Sequence, residues 1–102
     1  MIARVWRGAT RAEDADAYAA YLEESGMRAA RQLPGSRGTL VLHGRAGELA
    51  EFVTLLLFES LDDVRAFAGD DVDAARFFPE DDRWLVERDL RVRHYEVDAH
   101  LD

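Results

Sequence analysis

Phe52-Val53-Thr54-Leu55-Leu56-Leu57-Phe58 is the stretch that decides the fold. Side chains alternate across a strand, so Phe52, Leu56 and Phe58 line one face and Val53, Leu55 and Leu57 the other. Both faces are apolar, and both need cover. The first strand, Ile2 to Ala9, repeats this more weakly, with Ile2 and Trp6 opposite Ala3 and Val5. Upstream of the decisive strand, Arg45-Ala46-Gly47-Glu48 reads as a turn, and Arg37 to Gly44 as the strand that feeds it.

Two helices fit around these strands. Thr10-Arg11-Ala12-Glu13 has the spacing of a capping box, and Ala15, Tyr18, Ala19 and Leu22 follow on one helical stripe. Gly26 bends or ends that helix; a further turn through Ala29, Ala30 and Leu33 stops at Pro34-Gly35. Ser60 caps a second helix, with Asp62 and Asp63 suiting its positive end, and Gly69 stops it. Asp70 to Phe78 reads as a short helix cut by Pro79, Asp82 to Val86 as a helical or irregular link, and Asp89 to Val97 as the last strand. The expected fold is α+β: a ferredoxin-like βαββαβ arrangement with an antiparallel four-stranded sheet, in one domain spanning residues 1–102.

Two helices can cover only one face of such a sheet. A second face of roughly 600 Å² would be worth about 15 kcal/mol as an upper bound, too much to leave wet. A twofold copy of the same face is the simplest cover, so a homodimer is expected.

Composition narrows the partner. The net charge of −8 speaks against nucleic acid, whose phosphates need a basic surface, and against anionic membranes. A small aromatic or hydrophobic molecule fits better. The chain has no cysteine, so thiolate nucleophiles and disulfides are unavailable, and its 13 basic residues are all arginine, which excludes a lysine Schiff base. Met1-Ile2-Ala3-Arg4-Val5-Trp6 lacks the order of a signal peptide, and the expected location is the cytoplasm.

The chain resembles the antibiotic biosynthesis monooxygenase family, whose members form dimeric α+β barrels. The resemblance covers nearly all of it. It rests on the element order, the opening Val5-Trp6-Arg7, Pro34-Gly35 before the second strand, and Phe58-Glu59-Ser60-Leu61-Asp62-Asp63-Val64-Arg65-Ala66-Phe67. Phe58 stands where the family more often has tryptophan. The resemblance implies an oxygenase that uses no metal, haem or flavin: an electron-rich phenol or anthrone is deprotonated and its carbanion meets oxygen directly. The family's haem-degrading branch has an asparagine, a tryptophan and a histidine at positions held here by Trp6, Phe67 and Phe77. All three depart from it, so no haem is expected.

Such chemistry needs an apolar cavity, polar groups to stabilise an anion and a proton acceptor. By resemblance Trp6 points into the cavity, where its indole N–H can hold a substrate oxygen; the alternative is a core tryptophan satisfied locally. Phe67, Phe77, Phe78 and Trp84 are candidates for the cavity wall or for plain core. His43 and His94 are the histidines within expected strands, and imidazole is a natural proton acceptor. His94 shares a face with Val92 and Glu96, while Tyr95 faces the other way, toward cavity or dimer seam; His100, in the tail, has no assigned role. No metal-ligand grouping is apparent, since His43 and His94 belong at opposite sheet edges. Two other functions remain open: a non-catalytic or stress-related protein that binds a small hydrophobic molecule, and a polyketide cyclase.

Overall fold

β1 (Ile2–Arg11) is the spine of the sheet in a computed structural model that describes residues 1–99, which leaves His100 outside the described residues. On one side β1 pairs antiparallel with β3 (Leu49–Phe58), from Ile2 opposite Phe58 to Arg11 opposite Leu49. β3 in turn pairs with β2 (Ser36–Ala46), which forms the edge. On its other side β1 takes β4 (Leu85–Arg88) and β5 (Arg93–Glu96) end to end. The order β2-β3-β1-β4, with β5 continuing β4, is the ferredoxin-like α+β topology with its fourth strand broken in two.

The break corrects the expectation of one strand from Asp89 to Val97. Between β4 and β5 the backbone leaves the sheet and pairs with the 73–75 segment: Val92 N–H donates to Asp73 O at 2.8 Å, and Ala75 N–H to Leu90 O at 2.9 Å. Those same bonds explain why Asp70 to Phe78 is not the expected helix. Its backbone groups find partners across the gap instead of along a helix.

The first helix begins differently too. Thr10 belongs to β1, fully buried, and its hydroxyl donates to Arg11 O at 2.8 Å rather than capping anything. Ladder pairing out to Arg11 outweighs the capping box, so a 3-10 turn (Ala12–Asp14) starts the helix uncapped. α1 (Ala15–Leu22) then widens into one π turn (Glu23–Met27) and continues as α2 (Arg28–Arg31). At Gly26 an added Cβ would lie 3.4 Å from the Phe78 ring, so the bend is also a close packing point. α3 (Leu61–Ala68) does have the expected cap, with Asp63 N–H donating to Ser60 Oγ at 3.3 Å. α4 (Asp81–Trp84) is a single turn leading into β4. No helix among the described residues is long and apolar enough to cross a membrane.

The helices cover the face of β3 that carries Phe52, Leu56 and Phe58, all buried. Beneath them lie two separate apolar clusters. One joins Met27, Ala30, Phe58, Val64 and Phe67; the other joins Tyr18, Leu22, Ala50, Phe52 and Leu85. Among the described residues no helix lies over the opposite sheet face: Val53, Leu55 and Leu57 are half-buried, and Leu40, Leu42 and Tyr95 are 51%, 48% and 50% exposed. Their cross-strand pairing, Val5 and Leu40 beside Leu55, makes this one continuous apolar surface.

Candidate functional site

Between the two clusters, where Thr54 interrupts the apolar row of β3, a cavity opens. Its aromatic wall is Trp6, Phe67, Phe77 and Phe78; its helical side is Leu22, Gly26 and Met27. The cavity volume is about 40 Å³, enough for roughly two or three waters. Besides Thr54, four ionisable residues reach it: Arg4, Tyr18, Arg76 and Asp81.

Trp6 is placed by a glycine. Gly8 lies two residues on along the same strand face, and a Cβ there would fall 2.4 Å from the indole, so only glycine lets the ring lie across it. The indole N–H donates to Asp89 O at 2.9 Å, which is the local satisfaction weighed above. The ring meets Phe77 edge-on, with centroids 6.2 Å apart. Phe67 and Phe78 line the same cavity. Trp84 packs instead against Tyr18 and Tyr21, outside the cavity lining.

His94 stands one layer behind the cavity. Arg4 has only donors, so its 3.2 Å contact with His94 Nε2 makes that nitrogen the acceptor and puts the ring proton on Nδ1, 3.0 Å from Asp73 Oδ1. His94 therefore orients Arg4 and does not face the free space. His43 lies on edge strand β2, stacked on Phe52 with centroids 5.3 Å apart, and Tyr95 lies on the open sheet face. Neither joins the cavity.

Arg4 is the residue that sequence reading passed over. It is 3% exposed, on the helix-facing side of β1, and donates to Val72 O at 2.5 Å and Ala74 O at 2.7 Å. Burial, partly offset by Asp73, lowers its pKa to about 10. Arg76 donates to Phe67 O at 3.0 Å and rests on the rings of Phe67 and Phe78, at 4.9 and 4.7 Å. Across the cavity the Tyr18 hydroxyl donates to Asp81 Oδ1 at 2.9 Å, and Phe78 N–H donates to Asp81 Oδ2 at 2.6 Å.

Burial, then the negative charge of Asp81 and the hydrogen bond to it, hold the Tyr18 phenol well above its usual range. Unfolded, Tyr18 ionises near about 10; folded, it stays neutral past that point. Its contribution is complete below that pH and is lost above it, at up to about 1.4 kcal/mol per pH unit. The stability gap between wild type and Tyr18→Phe should narrow at that slope in alkaline urea titrations. A gap that stays flat would contradict the buried pairing.

The sequence matches no family model and no curated protein. Solved structures do match. A Bacillus cereus protein assigned as an antibiotic biosynthesis monooxygenase superposes with a TM-score of 0.68 at 15% identity, over 100% of this chain and 95% of that one. A Nitrosomonas europaea protein with the same assignment gives 0.66 at 13%, over 97% and 100%. The fold is that of the antibiotic biosynthesis monooxygenases. MhuD, solved with two manganese protoporphyrin IX molecules per active site, also superposes, with a TM-score of 0.61 at 18% identity over 100% and 99%.

Within this monooxygenase fold the residues present do not fit haem. The cavity lining holds no histidine or cysteine, and Tyr18 is committed to Asp81. Its free space is far below that of a porphyrin slot, on the order of several hundred Å³. Among the described residues, no group of three or more His, Asp or Glu is placed to hold a metal ion.

Proposed function

We propose that this chain belongs to the antibiotic biosynthesis monooxygenases and works as a homodimeric, cofactor-independent monooxygenase on an aromatic, polyketide-type or quinone-precursor molecule. The observation that carries the reading is the cavity itself, aromatic on one side and bearing a buried cation and a buried carboxylate on the other. The aromatic wall sorts for flat rings. Asp81, in contact with Tyr18, is the proton acceptor for an acidic methylene or phenol. His94 is a positioning residue that acts through Arg4.

The reaction balances without a further reductant. Loss of a methylene proton leaves a carbanion, and dioxygen oxidises it to a hydroperoxide. Elimination of water, with loss of the second C–H proton, leaves a carbonyl. One oxygen atom ends in product and one in water. The protein's part is to orient the ring, hold the anion and take the proton.

The second reading, a non-catalytic binder, draws on one observation: among the described residues every buried side-chain nitrogen and oxygen already has a hydrogen-bond partner. Oxygen electrode measurements with anthrone separate the readings. The oxygenase consumes one dioxygen per quinone formed, and Asp81→Asn slows it by roughly 100-fold. Turnover of a polyketide without oxygen would make the chain a cyclase, and binding without turnover would make it a carrier.

A further inference from the structure

Seven arginines of this chain sit in ion pairs with carboxylates: Arg7, Arg31, Arg37, Arg65, Arg83, Arg88 and Arg91. With a net charge of −8, acids are in surplus. Arg11, Arg28, Arg45 and Arg93 make no ion pair among the described residues, and neither do Arg4 and Arg76, the two arginines that line the cavity. Arg76 is exposed, but Arg4 is buried at 3% exposure and offset only in part, by Asp73; a buried charge without a direct counter-ion is costly.

Arg4 sends its hydrogen bonds to neutral acceptors, two carbonyls and His94 Nε2, with Asp73 a further residue away behind the imidazole. Arg76 spends one donor on Phe67 O and otherwise touches ring faces. The one carboxylate of the lining, Asp81, turns its two oxygens to Tyr18 and to Phe78 N–H instead of to either arginine. The lining thus carries two positive charges against one negative, a surplus of one.

We infer that the cavity takes an aromatic monoanion, a carboxylate or a phenolate, with its acid group between Arg4 and Arg76 and its ring against Phe67, Phe77 and Phe78. This rests on reading the cavity as the ligand site and narrows the ligand class within that reading. One surplus charge suits one acid group; a bare inorganic anion would leave the aromatic wall unused, and a polyanion would meet Asp81. Arg76 also explains how a ring fits a space this small. Its guanidinium occupies the faces of Phe67 and Phe78 where a ring would stack, and the residue is exposed. Swinging aside, it vacates those faces and stays close enough to meet the acid group.

The test is calorimetric titration of the full chain at neutral pH with 2-naphthoate and with its neutral isostere 2-naphthamide. The wild type should bind the acid about 10-fold or more tightly than the amide. Arg76→Gln should cut that preference by roughly 10-fold and leave the amide within about twofold, and Arg76→Lys should restore part of it. Equal affinities in the wild type, no binding of either up to about 1 mM, or loss of both alike in Arg76→Gln would each overturn the inference. Oxygen uptake is read separately. A preference for the acid with no oxygen consumption leaves the anion site standing and removes the enzyme, and consumption with no such preference does the reverse.

Discussion

Leu55→Glu is expected to turn a dimer into a monomer at micromolar concentration. Leu55 stands at the middle of the helix-free sheet face, flanked by Val5 on β1 and Leu40 on β2. A twofold interface receives the substitution twice, so two carboxylates must be dried or the interface abandoned. At several kcal/mol per buried ion the association weakens by about 5 kcal/mol or more, roughly four orders of magnitude in Kd. Sedimentation equilibrium reads the outcome. A wild type that is a well-folded monomer at the same concentration would remove the dimer altogether.

Asp81→Ala should be among the most damaging substitutions on the cavity side. It deprives two donors, the buried Tyr18 hydroxyl and the part-buried Phe78 N–H, of their shared acceptor. A buried orphaned donor costs about 1–3 kcal/mol and a part-buried one less, so the expected loss is about 2–4 kcal/mol out of a total that for small domains is about 5–15. Urea denaturation should show the midpoint falling with little change in slope. Adding Tyr18→Phe removes one of the orphans, so the double variant should lose less than the sum of the singles. Strict additivity would mean that the two groups do not interact.

The legible part of the fold was the part governed by alternation. The two-faced β3, the Ser60 cap and the Pro34-Gly35 stop are local signals, and each stands where its residues place it. Thr10 misled because its spacing satisfies a capping box while its neighbours satisfy a strand, and the ladder to β3 outweighs the cap. The stretch from Asp70 to Phe78 misled because its partners, Leu90 and Val92, are distant in sequence. Within the site, aromatic residues at helical and strand spacing could be read directly. Arg4 could not: an arginine among apolar residues in a strand looks like an outward-facing charge. The one available sign was that Arg4 shares the Ile2 and Trp6 face by alternation. Tyr18 and Asp81 meet across 63 positions, a separation at which no spacing rule operates.

The π turn between α1 and α2 has a consequence beyond the bend. Leu22 and Met27 are five positions apart, yet both are buried, because the wide turn resets the phase of the helix. One helical arm therefore reaches into both hydrophobic clusters, Leu22 into one and Met27 into the other, while Val41 packs against both. A single substitution that restored plain α-helical phase there would turn one of these two side chains out of its cluster.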